Sequence, residues 1–146
     1  MDSDLYQHQE NKPKRFPIQN IIEKTSLTLK PHQDIYNAME LLNRETESHG
    51  APVLDEEGRL LGLLSEKDCL KHAFDAKYNS LPPGKVKDYM STNLIVLSEE
   101  TDLFDVIELF ILNNYQSYPV IRDGFYKGMI KRSKILKELH KYDFLK

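Results

Sequence analysis

The sequence contains two copies of one pattern, separated by 66 to 68 residues. The aligned segments, in chain order, are 17–29 with 85–97, 35–42 with 103–110, 52–53 with 119–120, and 62–71 with 128–137. The apolar positions are kept throughout, and the single-residue deletions fall in connections, where changes of length are tolerated. The sequence is therefore an internal duplication, and both copies must be able to form the same structural unit.

Each copy predicts the same order of elements, β-α-β-β-α, so the fold class is α/β (α+β) with two packed repeats. A short strand precedes an amphipathic helix, which the spacing of its apolar residues indicates. A strand that opens with Pro-Val, where proline is tolerated, then turns at Gly58 or Gly124 into a hairpin. The predicted elements are 27–29, 34–46, 52–54, 60–64 and 66–76 in the first copy, and 95–97, 101–113, 119–121, 126–130 and 133–143 in the second.

Changes in composition along the chain predict three parts. Residues 1–16 are polar and have no apolar stretch typical of a signal peptide, so we expect a flexible N-terminal tail. Repeat 1 with its linker spans 17–84, and repeat 2 spans 85–146. The linker prediction covers 76–85 and rests on the sequence PPG, which interrupts regular structure.

Charge, cysteine content and motifs argue against several classes of protein. The 20 basic and 23 acidic residues give a net charge of −3, which does not favour nucleic acid or anionic lipid. The single cysteine, Cys69, cannot form an internal disulfide and fits a reducing, cytoplasmic location. No apolar run approaches the roughly 20 residues of a membrane-spanning helix. The sequence has no HExxH, P-loop or GxGxxG motif and no paired cysteines, so we expect neither a metal site nor an enzyme.

The predicted helix over 101–113 is apolar on nearly every side. A helix of this kind needs cover all round, and a chain of 146 residues has little interior to supply it. We therefore expect a homodimer that packs through amphipathic helices including 103–112. The alternative is a monomer in which the helices of the other copy cover both faces.

The duplicated pattern resembles a tandem pair of cystathionine-β-synthase (CBS) domains, an arrangement called a Bateman module. The resemblance covers residues 17 to about 141 and is carried by VKDYMSTNL, APVLDEEGRLLGLLSEKD and YPVIRDGFYKGMI. It implies two repeats packed pseudo-symmetrically through their sheets, with two clefts between them. It also implies a regulatory module, with AMP, ADP, ATP or S-adenosylmethionine as ligand rather than as an obligatory cofactor, and an unidentified protein as regulated partner.

Ser65 and Asp68 are the central ligand-binding candidates, in the role that the resemblance implies for them. An ionised carboxylate accepts strong hydrogen bonds from both hydroxyls of a ribose. Ser65 stands where a strand ends and a helix begins, so its hydroxyl and the free N–H groups of the first turn would receive a phosphate. The alternative is a capping box, because Ser-x-x-Asp also satisfies the N–H groups at a helix start without any ligand.

The resemblance implies the remaining lining of this first cleft. The implied residues are Leu63, His49 and Gly50 from the first copy, and Leu94, Ile95, Tyr115 and Gln116 from the second. A neutral His49 would be a weak counter-charge and would favour a monophosphate over a triphosphate. The alternative is that His49 is a loop residue with no ligand.

The second cleft departs from the family pattern, because Lys131 and Lys134 stand where the first copy has Ser65 and Asp68. A lysine cannot accept a hydrogen bond from a ribose hydroxyl, so we expect adenosine binding in the first cleft only. Lys131, Arg132 and Lys134 would either attract a polyanion or form a solvated basic face. Three functions remain open: a regulatory adenosine-binding module, a structural dimer or adaptor with empty clefts, and a polyanion or nucleic-acid binder.

Overall fold

A computed structural model describes residues 16–45, 50–79 and 84–142. Of the expectations above, the tail through residue 15 and the role of His49 lie outside the described residues. Within these ranges, every helix is too short or too polar to cross a membrane.

The described residues form helices and two small sheets in the predicted order. Repeat 1 contains α1 (Ile35–Arg44), β1 (Gly50–Leu54), β2 (Leu60–Ser65) and α2 (Glu66–Asn79), preceded by a 3-10 helix at Gln19–Ile21. Repeat 2 contains α3 (Val86–Tyr89), β3 (Leu97–Ser98), α4 (Leu103–Leu112), β4 (Ser117–Arg122), β5 (Phe125–Lys131) and α5 (Arg132–Leu139). The first predicted strand of repeat 1 is reduced to a parallel bridge between Leu29 and Val53.

The connection between the repeats differs from the prediction at one point and contains one element that was not predicted. The linker was expected from residue 76, but α2 continues to Asn79, because no strong turn signal occurs before the PPG sequence. The short helix α3 was not predicted, since four residues are too few to show a helical period.

The two hairpins join the repeats through their turns. β1 pairs with β2 antiparallel, while β4 lies between β3, to which it is parallel, and β5, to which it is antiparallel. Gly58 and Gly124 have φ values of 93° and 86°, which explains a glycine in each turn. The Leu60 N–H donates to the Gly124 carbonyl at 3.1 Å, and the Tyr126 N–H donates to the Gly58 carbonyl at 3.1 Å.

Each repeat gives its first segment to the hydrophobic core of the other. We call residues 16–23 lead-in 1 and residues 84–91 lead-in 2. Ile18 and Ile21 of lead-in 1 are buried in the cluster of repeat 2 that includes Val120. Val86 of lead-in 2 is buried in the cluster of repeat 1 that includes Val53. Neither repeat therefore completes its core alone.

Backbone hydrogen bonds attach the start of each lead-in to the first helix of the other repeat. The Leu103 N–H donates to the Phe16 carbonyl at 2.8 Å, and the Ile35 N–H donates to the Gly84 carbonyl at 3.0 Å. Asp102, which caps α4, also accepts from the Phe16 N–H at 2.7 Å. Both lead-ins therefore begin at a helix N-terminus of the opposite repeat.

The end of each lead-in lies against the opposite hairpin. Glu23 forms an antiparallel bridge with Met129, and Ser91 forms one with Leu63. The neighbouring glycines, Gly128 and Gly62, leave room for this approach. A Cβ atom on Gly128 would lie 2.6 Å from the Glu23 carbonyl oxygen, and one on Gly62 would lie 2.7 Å from the Ser91 carbonyl oxygen, which is too close in both cases. The glycine that opens both copies of the motif is therefore required by the approach of the lead-in backbone.

Helix α4 keeps an exposed apolar face. Leu103 and Val106 are buried, whereas Ile111 is 77% exposed and Leu112 is 70% exposed. The interpretation in which the other repeat covers both faces of this helix is therefore wrong.

Three side chains of α2 are buried although they carry ionisable groups, namely Asp68, Cys69 and His72. Cys69 packs in the core of repeat 1, as expected; burial raises the pKa of its thiol, and the carboxylates of Asp68 and Glu66 raise that pKa further. His72 is fully buried, with its ring edge-on to Tyr36 and Tyr89 at centroid distances of 5.3 and 4.4 Å. Neither of its ring nitrogens has a hydrogen-bond partner among the described residues.

Replacing Val86 by Ala tests the burial of lead-in 2, on which the exchange of the lead-ins depends. Val86 belongs to repeat 2 in sequence but packs in the core of repeat 1. We expect Val86→Ala to lower the free energy of unfolding in urea by about 1–3 kcal/mol, because it removes buried methyl groups. Val96 is 40% exposed, so Val96→Ala should change that free energy by less than about 0.5 kcal/mol. Equal effects of the two substitutions would contradict the exchanged core.

Candidate ligand site

Asp68 closes a capping box at the start of α2. The Ser65 N–H donates to Asp68 Oδ2 at 2.9 Å, and the Asp68 N–H donates to Ser65 Oγ at 3.1 Å. The Ser91 hydroxyl of lead-in 2 donates to Asp68 Oδ1 at 3.3 Å. Asp68 is 6% exposed, so its carboxylate is almost fully occupied by neighbours within the chain.

The capping-box interpretation of Ser65 and Asp68 is therefore confirmed. The carboxylate points back to the start of its own helix, where it accepts from the Ser65 N–H and from the Ser91 hydroxyl. The ligand-binding role of both residues stays a prediction.

The other residues expected in the first cleft differ in their surroundings. Leu63 is joined to Ser91 by backbone hydrogen bonds of 3.0 and 2.8 Å. Leu94 is half-buried, and Ile95 packs against the core of repeat 2. Tyr115 is 50% exposed, and its ring lies 5.8 Å from that of Tyr118.

The described residues enclose a cleft of about 450 Å³ on the side of the second motif. It is lined by 23–27, Glu45, Gly50, 116–117, Met129 and 131–133. This volume is within the usual range of about 300–1,000 Å³ for small-molecule sites. Gly50 and Gln116 are the residues of the predicted set that line it, while Ser65 and Asp68 do not.

Charged and hydroxyl side chains dominate the lining of this cleft. Lys24, Lys131 and Arg132 are basic, and Glu23 and Glu45 are acidic. The remaining polar side chains include four hydroxyl groups, those of Thr25, Ser26, Ser117 and Ser133.

Several of these groups are fixed by hydrogen bonds. The Ser26 hydroxyl donates to Glu45 Oε2 at 2.9 Å, and the Arg132 N–H donates to the Gln116 carbonyl at 2.9 Å. The Thr25 and Tyr126 hydroxyls lie 3.1 Å apart, and burial raises the pKa of Tyr126 to about 12. Side-chain hydrogen bonds therefore hold Thr25, Ser26 and Glu45 on the repeat 1 side of the cleft, and a backbone hydrogen bond joins β4 to the start of α5 on the repeat 2 side.

The two copies of the motif make the same contact with opposite polarity. In repeat 1, Asp68 on the helix accepts a hydrogen bond from Ser91 on lead-in 2. In repeat 2, the donors are on the helix side and the acceptor is on lead-in 1: Lys131 Nζ lies 3.3 Å from Glu23 Oε2, and Lys134 Nζ lies 3.9 Å from Glu23 Oε1. Glu23 and Ser91 occupy aligned positions, so the inversion of charge in the motif is matched by an inversion on the lead-in.

Sequence reasoning missed the lining contributed by 23–27, Glu45, Ser117 and Met129. The offset of 68 residues between the copies aligns Ser26 and Leu27 with Leu94 and Ile95. Because Leu94 and Ile95 are predicted to line the first cleft, the alignment could have predicted that Ser26 and Leu27 line the second. Lys131 and Lys134 argue against adenosine binding in the second cleft on sequence alone, because a lysine cannot accept a hydrogen bond from a ribose hydroxyl as Asp68 can. Within the described ranges, no three His, Cys, Asp or Glu side chains are grouped as metal ligands would be.

Comparison with known proteins identifies the family of this chain. The CBS domain model matches twice, over residues 18–75 and 86–141. An uncharacterized protein of Methanocaldococcus jannaschii is 28% identical over 123 residues, which are 84% of this chain and 42% of the relative. The chain therefore spans less than half the length of that relative.

Solved structures share the fold. The CBS-pair protein CBSX2 of Arabidopsis thaliana, in complex with AMP, superposes with a TM-score of 0.75 at 22% identity over 86% of this chain and 97% of that one. A CBS domain pair in complex with 5′-methylthioadenosine and S-adenosyl-L-methionine gives a TM-score of 0.71 at 20% identity, over 88% of this chain and 98% of that one. With two family matches that together cover most of the sequence, this chain belongs to the CBS domain family and is a tandem CBS pair.

Proposed function

We propose that this chain is a cytoplasmic, non-enzymatic regulatory module that binds an adenosine nucleotide or a related adenosine compound in the cleft beside Lys131. The observation that carries the proposal is the cleft of about 450 Å³ with Lys131 and Arg132 in its lining. The complexes of related CBS pairs with AMP and with S-adenosyl-L-methionine support an adenosine compound as the class of ligand.

The lining of the cleft suits the parts of a nucleotide. Lys131 and Arg132 would donate charge-assisted hydrogen bonds to a phosphate. Hydroxyl groups of the lining, such as that of Ser117 on the strand beside Lys131, would bind sugar or base, and Leu27 and Met129 offer apolar surface to the base. One wall comes from repeat 1 and the other from repeat 2, so a bound ligand would change how the two repeats lie against each other. A partner protein or a second subunit would sense that change.

We therefore favour the Lys131 cleft over the Asp68 cleft that the sequence suggested. The carboxylate of Asp68 is engaged in its capping box, whereas the Lys131 cleft is open. Substitutions at these two positions distinguish the sites.

Replacing Lys131 by Ala should lower nucleotide affinity at least about tenfold, because a charge-assisted hydrogen bond contributes about 1.5–3 kcal/mol. Isothermal titration calorimetry with AMP, ADP, ATP and S-adenosylmethionine would measure the effect. Lys127→Ala is the matched control: Lys127 is exposed on the same strand, β5, and lies outside the lining, so its loss should change affinity by less than about twofold.

The same titrations decide between the open alternatives. Asp68→Ala should leave affinity nearly unchanged, whereas a loss in Asp68→Ala together with wild-type affinity in Lys131→Ala would restore the first cleft as the site. Absence of binding by all four compounds would favour an adaptor with empty clefts. Salt-sensitive binding of oligonucleotides would favour a polyanion binder.

We also propose a homodimer that packs through the exposed helix faces, including 103–112. Apolar side chains are exposed at aligned positions of the two repeats: Leu70 and Leu136 are 69% and 68% exposed, and Tyr36 and Phe104 are 53% and 39% exposed. Ile111 and Leu112 add two further exposed apolar side chains on α4, and a homodimer would bury part of this surface.

Sedimentation velocity with Ile111→Lys tests the dimer. We expect the wild-type chain to sediment as a dimer and Ile111→Lys to shift towards the monomer, since a charge at the centre of an apolar interface is costly. Val96→Lys is the control, because Val96 is partly exposed but lies outside the helices. A wild-type monomer, or a dimer unchanged by Ile111→Lys, would contradict an interface that includes α4.

A further inference from the structure

One charged cluster lies at the edge of the Lys131 cleft and consists of Glu23, Lys131 and Lys134. The Glu23 carboxylate contacts both ammonium groups, at 3.3 Å for Lys131 and 3.9 Å for Lys134. The side chains are 33%, 32% and 42% exposed, in that order, so solvent and a solute reach all three. Glu23 and Lys131 also line the cleft.

The ion pairs of Glu23 are easier to break than the corresponding contact in repeat 1, which joins Asp68 to Ser91. Asp68 is 6% exposed and supports the start of its own helix, so removing its partners would uncover a buried charge. The Glu23 pairs are partly exposed, and ion pairs of this kind contribute only about 0–1 kcal/mol. An anion with more charge than one carboxylate can therefore compete with Glu23 for the lysines.

The backbone around Glu23 does not depend on these ion pairs. The Glu23 N–H donates to the Met129 carbonyl at 2.9 Å, and the Met129 N–H donates to the Glu23 carbonyl at 2.8 Å. These two bonds hold the end of lead-in 1 against β5 while the side chain is free to leave Lys131. The carboxylate can therefore be exchanged without loss of the fold.

We propose that Glu23 is the resident anion of the cleft and that a ligand binds by placing a phosphate group in its place on Lys131, with Arg132 on the same lining. This inference rests on the proposed function and narrows its ligand class to phosphorylated adenosine compounds. A phosphate monoester carries about −1.5 to −2 charges at pH 7 against −1 for the carboxylate. An uncharged nucleoside, or a ligand whose charged group is a cation, cannot displace Glu23 and gains nothing from the lysines.

The pair AMP and adenosine tests the proposal, because the two compounds differ only in the phosphate. Calorimetric titration of the full chain should show that Glu23→Gln raises the affinity for AMP by about two- to fivefold and leaves the affinity for adenosine unchanged. Glu23→Ser, which introduces the residue type found at the aligned position 91, should have the same effect. Circular dichroism melting would verify that both variants fold.

Glu45→Gln is the matched control, because it also removes one carboxylate from the lining. The Glu45 carboxylate accepts from Ser26 instead of pairing with Lys131, so its loss should change AMP affinity less than the loss of Glu23 does. An equal gain in AMP affinity in both variants would show that removing any one negative charge from the cleft has this effect, and it would overturn the proposal.

Two further results would also overturn it. Weaker binding of both AMP and adenosine by Glu23→Gln would show that Glu23 accepts from the ribose instead of competing with the phosphate, and unchanged binding would show that it does neither. If AMP binding depends on Lys131 but not on Glu23, only this inference fails. If no variant binds AMP or adenosine, the proposed function fails with it.

Discussion

The exchange of lead-in segments between the repeats is the interaction on which the rest of this structure depends. Ile18 and Ile21 complete the core of repeat 2, and Val86 completes the core of repeat 1, so each copy buries its apolar surface only in the presence of the other. The exchanged segments then run to the opposite hairpins, where Gly128 and Gly62 let their backbones approach. The Lys131 cleft consequently has one wall from each repeat, and a ligand bound there would be coupled to the packing of the whole pair.

The contact at the end of lead-in 1 and the contact at the end of lead-in 2 occupy equivalent places in the two repeats but are made by different side chains. In both, a polar contact ties the end of a lead-in to the start of a helix. Repeat 1 uses a buried carboxylate that also caps the helix, which stabilises the structure but leaves Asp68 little freedom to bind a ligand. Repeat 2 uses partly exposed ion pairs of Glu23 beside an open cleft. Lys131 and Lys134 argue against a ribose site of the Asp68 type in the second cleft. The same two lysines form ion pairs with Glu23 that a phosphate group would replace.

The duplication was visible in the sequence because the folding unit is repeated position by position. The order of elements, the glycines of the two turns and the burial of Cys69 could therefore be predicted. The exchange of lead-ins was not visible, since the same apolar pattern would result if Ile18 or Val86 packed on its own repeat. Ser65 and Asp68 could not be assigned either, because a capping box and a ribose site require the same residue types at the same spacing. Glu23 was overlooked because its importance depends on Lys131 and Lys134, more than 100 residues away in the sequence.

Backbone amide NMR during a titration with AMP tests the central claim most directly, because it reports which of the two clefts the ligand enters. If the cleft between lead-in 1 and the second motif is the site, the largest shifts will occur at residues 24–27 and 131–133. Shifts concentrated instead at Ser65, Asp68 and Leu94, with 131–133 unaffected, would contradict the account.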